Sequence, residues 1–318
     1  MTGVVIVVID SHAHIFQEVA GLVAAGPTKG IGYGRVVAGG QVIQVIPPLC
    51  EKTTHTPEML LAHMRWAGVD RAILLQGPFY GECNRYALDA VQAHPQDLSG
   101  VAYFDPWAPE PRRVFQAICD AEAFVGIKLE FSEATGLCGI HGGVKLQGQD
   151  TAWLWDELER VDMTLVIDLG AVGSSSYQTN ALRHIAVEHP RLKIVIAHLA
   201  QPNPVVEADR ALWQLWEEQI DLGRLPNVYF DTASLPAYVT SDGYPFPLAG
   251  RYLRIAINRI GPGKIMWGTD IPALLSYATY PQLLQAARIH LDFLSGDERD
   301  MVMGGNASRV YRANSGCS

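Results

Sequence analysis

Cysteine is scarce in this sequence, and its few copies are scattered. The 318 residues contain five cysteines, none in CxxC spacing: Cys50, Cys83, Cys119, Cys138 and Cys317. Such spacing excludes a zinc ribbon and does not indicate a framework of disulfide bonds. It is typical of reduced thiols, so we expect a cytoplasmic protein.

Charged residues are also few, and no cluster of basic residues is present. They make up 18% of the chain, whose formal net charge is −9. Nucleic acid and acidic membrane surfaces are therefore excluded as partners, and a small-molecule substrate is expected. The apolar run at residues 3–9 (GVVIVVI) is too short to span a bilayer and has no basic segment before it.

Apolar residues, by contrast, are abundant and periodic. Hydrophobic residues make up 48% of the chain. Eight apolar runs predict strands at 3–9, 71–75, 99–104, 124–131, 163–169, 193–198, 227–232 and 264–269. Amphipathic stretches predict helices at 56–67, 84–93, 112–121, 151–160, 180–189 and 280–294. Near-continuous apolar strands that alternate with helices predict one domain over residues 1–318, an α/β fold of the (β/α)8 TIM-barrel type.

Two segments interrupt this alternation. Residues 26–48 contain Gly39-Gly40 between apolar runs, which predicts a β-hairpin inserted after strand one. Residues 233–250 contain three prolines and predict a long loop after strand seven. Both segments follow strand ends and are expected at the catalytic face of the barrel. Contact between copies is an alternative role, above all for the hairpin, and we expect a homo-oligomer.

Ionisable residues stand at or just beyond seven of the eight predicted strand ends. They are Asp10, His12, His14, Asp105, Lys128, Glu130, Asp168, His198, Asp231 and Asp270; Gln76 follows the remaining strand. Buried charges cost several kcal/mol unless they are paired or bind a metal. Two histidines spaced two residues apart, with carboxylates nearby, suit a divalent metal such as zinc.

Five segments, in order along the chain, together resemble the amidohydrolase 2 branch of the amidohydrolase superfamily. They are Asp10-Ser11-His12-Ala13-His14, Gly126-Ile127-Lys128-Leu129, Ile194 to Leu199 (IVIAHL), Trp267-Gly268-Thr269-Asp270 and Gly305 to Tyr311 (GNASRVY). The resemblance implies that His12, His14 and Asp270 bind one divalent metal, Zn²⁺ or Mn²⁺. It also implies that Asp270 is the general base and that His198 is an acid/base or polarises the substrate carbonyl.

The sequence departs from this family at strand five. Where mononuclear members carry a histidine, this chain has Asp168. Three interpretations follow. In the first, Asp168 is a metal ligand, which gives a His₂Asp₂ shell tolerant of Mn²⁺. In the second, Glu130 is the ligand and Asp168 lies outside the ligand shell, next to it. In the third, the metal is weak or absent. We favour a bound metal with Asp168 as a ligand.

Four further residues are candidates for binding the substrate: Lys128, Glu130, Tyr80 and His141. In some superfamily members a strand-four lysine is carboxylated and bridges two metals, which the missing strand-five histidine disfavours here. Lys128 is instead expected to face Glu130, Asp168 or a substrate carboxylate. A purely structural Lys–Glu pair is the alternative.

Three functions remain open at this point. The first is hydrolysis of a small lactone, amide or ester by an activated water. The second is non-oxidative decarboxylation of a small carboxylic acid, aromatic acids included, on the same scaffold. The third is a binding module without activity, which the joint presence of His12, His14, His198 and Asp270 disfavours.

Overall fold

The computed structural model describes residues 7–312, which form a parallel barrel with a small inserted sheet. The strands are β1 (Ile9–Ala13), β2 (Leu22–Val23), β3 (Gly26–Gly32), β4 (Arg35–Ala38), β5 (Gln41–Gln44), β6 (Arg71–Leu75), β7 (Leu98–Tyr103), β8 (Phe124–Glu130), β9 (Thr164–Asp168), β10 (Ile194–Ile196), β11 (Val228–Asp231) and β12 (Ile265–Met266). Strands β1 and β6–β12 pair in parallel in chain order, and β2–β5 form the insert.

Helices connect and follow the barrel strands. They are α1 (Pro57–Ala67), α2 (Asn84–Ala93), α3 (Pro111–Asp120), α4 (Leu137–His141), α5 (Ala152–Val161), α6 (Thr179–Glu188), α7 (Pro204–Ala208), α8 (Arg210–Ile220), α9 (Leu235–Tyr238), α10 (Pro247–Ile260), α11 (Tyr280–His290), α12 (Gly296–Asp300) and α13 (Asn306–Tyr311). Within residues 7–312, no helix combines the length and apolar character needed to cross a membrane.

Backbone hydrogen bonds between the first and last strand segments bring the sheet to near closure. The Ser11 amide donates to the Trp267 carbonyl at 3.0 Å, and the Asp270 amide donates to the His12 carbonyl at 2.8 Å. The predicted (β/α)8 architecture is thus confirmed. The same bonds place the two segments that carry candidate ligands side by side.

Side chains of alternate strand residues fill the barrel interior. Ile73, Leu75 and Val166 belong to this apolar cluster, and Val310 and Tyr311 of α13 pack against it. The hydroxyl of Thr164, the first residue of β9, donates to the Val310 carbonyl, so α13 covers the amino-terminal end of the strands. The polar residues that follow the strands therefore lie at the opposite, carboxyl-terminal end.

The first strand is not where the apolar run placed it. We predicted residues 3–9, but the strand spans Ile9–Ala13, and residues 3–6 lie outside the described part of the chain. All five residues of β1 are buried, and the side chains of Asp10 and His12 find hydrogen-bond partners inside the barrel. The other seven predicted strands fall on barrel strands, although β10 and β12 are shorter than expected.

The two irregular segments also contain more structure than predicted. The insert is a four-stranded antiparallel sheet, in which Gly39 and Gly40, with φ of 57° and 76°, form the turn between β4 and β5. Positive φ at both positions suits glycine and the tight turn of a two-residue hairpin. The predicted loop at 233–250 contains α9 and the first turn of α10, so it is shorter than expected.

Candidate active site

A cavity of about 520 Å³ opens at the carboxyl-terminal ends of the barrel strands. Seven of the residues singled out in the sequence line it: His14, Tyr80, Lys128, Glu130, Asp168, His198 and Asp270. His12 lies fully buried beside it, with its ring centroid 5.1 Å from that of His14 and 4.7 Å from that of His198. Residues from six barrel strands or their adjoining loops thus meet at one place.

The two histidines of the HxH motif are held in one tautomer. His12 Nδ1 lies 2.9 Å from Asp231 Oδ2, and His14 Nδ1 lies 2.6 Å from the Leu75 carbonyl oxygen. Both partners accept hydrogen bonds, so each Nδ1 carries the proton and each Nε2 presents a lone pair. Burial lowers the pKa of both imidazoles, which are therefore neutral at pH 7.

Asp270 completes a compact group of three donors with these histidines. Its Oδ1 lies 2.9 Å from His14 Nε2, and the Ser234 hydroxyl donates to its Oδ2. Burial raises the pKa of Asp270, but the close imidazoles of His14, His12 and His198 outweigh burial and hold that pKa below its usual range. Asp270 is therefore a carboxylate at neutral pH.

The chemistry of this donor set fits a divalent metal. One ligand atom each from His12, His14 and Asp270 lies within 4.8 Å of the other two. With His14 Nδ1–H committed to the Leu75 carbonyl, the His14 Nε2 lone pair faces the Asp270 carboxylate, and two acceptors at this distance need a cation between them. Three protein ligands with room for water are typical of catalytic metal sites.

Asp168 lies outside this group and pairs with His198. Its Oδ2 is 3.4 Å from His198 Nε2, while its Oδ1 accepts hydrogen bonds from the Gln201 side-chain amide and the Gly170 backbone amide, both at 2.8 Å. Burial lowers the pKa of His198, but the carboxylates of Asp168, Asp270 and Asp231 outweigh it and raise that pKa. Of the four predicted ligands, the structure groups His12, His14 and Asp270 without Asp168.

His198 reaches the cavity through an unusual backbone turn. Residues 198–201 all have left-handed dihedrals, with φ of 61°, 49°, 57° and 60°. This conformation costs roughly 1–2 kcal/mol for each non-glycine residue. Asp231 Oδ1 accepts the His198 backbone amide at 2.8 Å, and the Trp216 indole donates to the Leu199 carbonyl at 2.9 Å. The turn ends β10 early and brings His198 and Gln201 to the same carboxylate.

Lys128 faces Glu130, as expected, and also His12. Its Nζ lies 3.4 Å from Glu130 Oε2 and 3.3 Å from His12 Nε2, and its side chain is 3% exposed. Burial and the Asp168 charge raise the pKa of Glu130 to about 7, more than Lys128 lowers it. Ser132 donates to the other Glu130 oxygen at 2.7 Å. Lys128 is the one Lys or Arg among the described residues that line the cavity.

The last two predicted substrate-binding residues, Tyr80 and His141, lie in different places. The Tyr80 ring stacks on Phe16, with centroids 4.4 Å apart, and lines the cavity wall beside His14. His141 does not line the cavity; its Nε2 lies 2.7 Å from Asp105 Oδ2. The structure therefore places His141 beside Asp105, away from the residues that line the cavity.

Sequence reasoning missed several residues of the cavity. Tyr238, Gln201 and Ser132 line it, and Ser234 contacts Asp270 from below. Tyr238 was recognisable only as one aromatic residue of the segment after strand seven. Gln201 could have been recognised, because it follows the candidate catalytic residue His198 by three positions.

Asp10 does not line the cavity, although it stands with His12 and His14 at the end of the first strand. It is fully buried and accepts four hydrogen bonds, from the His12 amide (3.1 Å), the Thr269 amide (2.9 Å), the Thr269 hydroxyl (2.5 Å) and the Tyr280 hydroxyl (2.7 Å). Burial raises the pKa of Asp10 to about 6. Asp10 thus ties β1 to the segment after β12.

We expect Asp10→Ala to destabilise the protein by about 3–5 kcal/mol, because it leaves several buried donors without an acceptor. Tyr280→Phe removes one of the four bonds and is expected to cost about 1 kcal/mol. Urea unfolding of both variants measures the difference. Equal midpoints for the two variants would contradict a connecting role for Asp10.

Comparison with known proteins agrees with this geometry. The chain is 26% identical over 265 residues to the L-fucono-1,5-lactonase of Burkholderia ambifaria, covering 80% of this chain and 83% of that protein. An amidohydrolase from Burkholderia multivorans has the same fold (TM-score 0.74, 19% identity, 96% and 99% coverage). So does a probable 2-pyrone-4,6-dicarboxylic acid hydrolase from Acinetobacter baumannii (TM-score 0.68, 16% identity, 96% and 99% coverage). The family described as amidohydrolase matches residues 9–313, and the chain belongs to that family.

Proposed function

We propose that this protein hydrolyses a small, neutral, hydroxylated lactone. The observation that carries the proposal is the pairing of the Asp270 carboxylate with His14 in a cavity of about 520 Å³. A cavity of this size admits a small ring, and the ionised carboxylate beside it is suited to take a proton from an attacking water.

The charges around the cavity support an uncharged substrate. Four carboxylates line it: Glu130, Glu133, Asp168 and Asp270. Lys128 Nζ already lies 3.4 Å from Glu130 Oε2, so it is engaged by an acidic side chain of the protein itself. Carboxylates and amides are good acceptors and donors for substrate hydroxyls, whereas a substrate carboxylate meets like charge. The similarity to an L-fucono-1,5-lactonase supports the same choice.

His12, His14 and Asp270 are the residues that would hold a divalent metal, for which we propose Zn²⁺ or Mn²⁺. When bound, such an ion lowers the pKa of water and polarises a carbonyl. His12 would offer the ion its Nε2 lone pair, which Lys128 Nζ contacts at 3.3 Å, so Lys128 would have to move from His12 for that ligand to be free. A structure of the Burkholderia multivorans relative with bound zinc supports this proposal (TM-score 0.71, 19% identity).

The protein's own groups supply the proton transfers. In the proposed reaction, a water oxygen attacks the lactone carbonyl carbon and Asp270 accepts the water proton. His198, whose pKa the surrounding carboxylates raise, donates a hydrogen bond or a proton to oxygen as the ring C–O bond breaks. Asp168 and Gln201 hold His198 in position, and Asp231 holds His12.

Decarboxylation is the alternative, and 5-carboxyvanillate decarboxylase of Sphingomonas paucimobilis shares the fold (TM-score 0.55, 17% identity). Such a reaction needs a place for the substrate carboxylate before it leaves. The engagement of Lys128 with Glu130 and the presence of four acidic lining residues disfavour that placement. We therefore rank decarboxylation second.

A substrate panel tests the proposal. We expect acid release from neutral sugar δ-lactones, no CO₂ from hydroxybenzoic acids, and a kcat/KM at least about 100-fold lower for lactones with carboxylate substituents, because like charges cost several kcal/mol. A pH indicator measures acid and a coupled assay measures CO₂. Each substrate is also incubated without enzyme as a control. Release of CO₂ as the main product would overturn the proposal.

We also propose a cytoplasmic location. The four cysteines within the described part of the chain, Cys50, Cys83, Cys119 and Cys138, are unpaired, as expected for a reducing compartment. Fractionation of cells that express the full chain tests this.

A further inference from the structure

The insert ends in an edge strand that lacks the usual protection. Strand β5 is the last strand of the sheet β2-β3-β4-β5, and all four of its residues are exposed. Natural edge strands are commonly protected by charged side chains, prolines or bulges. The four residues of β5 are Gln41, Val42, Ile43 and Gln44, which include neither charge nor proline.

Each face of this edge presents one apolar side chain beside a glutamine. Val42 lies opposite Val37 on one face, and Ile43 lies opposite Val36 on the other. Val36 is fully buried and packs with Phe16 and other apolar residues beneath the sheet. A further strand added beside β5 would therefore extend an apolar row on each face.

Exposed apolar surface is concentrated in this part of the chain. Of the fourteen large hydrophobic side chains that are exposed among the described residues, six lie between residues 22 and 49: Leu22, Ile31, Tyr33, Val42, Ile43 and Leu49. Exposed patches of this kind mark interaction surfaces.

The charge pattern selects a second copy of the chain as the partner. A two-fold axis brings residues near the axis close to their own copies, so a charge there would meet the same charge. Residues 36–50, which include β4 from its second residue, all of β5 and the segment after it, contain no charged side chain. The edge is thus free of the repulsion that opposes two-fold pairing.

We propose that β5 pairs antiparallel with β5 of a second copy, joining two inserts into one continuous sheet. The insert also contacts loops of the cavity, because the Leu22 amide donates to the Pro78 carbonyl at 2.9 Å and the Ala24 amide to the Ala134 carbonyl at 3.3 Å. The sheet that pairing would extend therefore also borders the cavity entrance, through its opposite edge.

Light scattering tests the pairing with matched variants. Wild-type protein is expected at twice the 34.8 kDa chain mass. Val42→Lys is expected to raise the dimer dissociation constant more than about 100-fold, because two like charges then meet at the edge. Val187→Lys is the control, since Val187 on α6 is 58% exposed and Val42 is 59% exposed. Gln41→Lys adds the charge without removing an apolar side chain and is expected to act in the same direction.

Hydrogen exchange identifies the surface. Amides of residues 41–44 are expected to be protected in concentrated wild-type protein and to exchange faster in Val42→Lys, while circular dichroism shows that both remain folded. The proposal would be overturned by a monomeric wild type or by a dimer that survives both edge substitutions. Dissociation by Val187→Lys, or unprotected amides at residues 41–44 in a dimer, would also overturn it.

Discussion

Replacement of Asp270 with asparagine is expected to lower kcat about 1,000-fold while the protein remains folded, because positioned acid–base groups contribute about 10²- to 10⁴-fold to rate. Asparagine keeps the size of the side chain and one oxygen for the Ser234 hydroxyl, but it cannot accept the proton of an attacking water. Steady-state hydrolysis of a neutral sugar δ-lactone measures the loss.

Asp105→Asn is the matched control for this substitution. Both aspartates follow barrel strands and pair with a histidine, Asp270 with His14 at 2.9 Å and Asp105 with His141 at 2.7 Å. Asp270 lines the cavity and Asp105 does not. We expect Asp105→Asn to keep kcat within about threefold of wild type, as for a substitution that touches no catalytic group. A kcat for Asp270→Asn within tenfold of wild type would remove Asp270 from the proton transfer.

The barrel could be predicted from the sequence because the pattern of an apolar strand followed by an amphipathic helix repeats along the chain. Buried parallel strands are apolar on both faces, so runs such as 71–75 stand out, and this run coincides with β6. Residues at consecutive carboxyl ends must then meet, which predicts that Lys128 and His198 share one site. The first strand does not appear as an apolar run, because several of its residues are polar. Their partners lie far away in sequence, as Thr269 and Tyr280 do for Asp10.

The finer geometry of the site had no local signal. The left-handed turn after β10 uses four residues that are not glycine, and local propensity predicts against it. Contacts to Asp231 and Trp216 stabilise the turn, and both are more than 15 residues away along the chain. Its consequence, that Asp168 pairs with His198, was therefore invisible in the sequence.

The position of Asp168 leads to the second large expected effect. His14→Ala is expected to weaken metal binding more than about 100-fold, since even partners behind the ligands contribute about 10- to 100-fold. Asp168→Asn is expected to keep the metal while kcat falls about 10- to 100-fold, because His198 loses the carboxylate 3.4 Å from its Nε2 and is left in a less favourable charge state.

Elemental analysis after incubation with Mn²⁺ or Zn²⁺, followed by dialysis, measures metal content apart from activity. The two variants differ in a specific way, since His14 shares a group of donors with His12 and Asp270 whereas Asp168 lies outside it. Loss of metal from the Asp168→Asn variant would show that Asp168 is a metal ligand after all. A wild type that holds no metal would contradict the proposed metal site. In that case Lys128 Nζ, 3.3 Å from His12 Nε2, would be the cationic group beside the HxH histidines. The pair of variants therefore determines whether an aspartate at strand five substitutes for the family's histidine as a ligand or serves His198 instead.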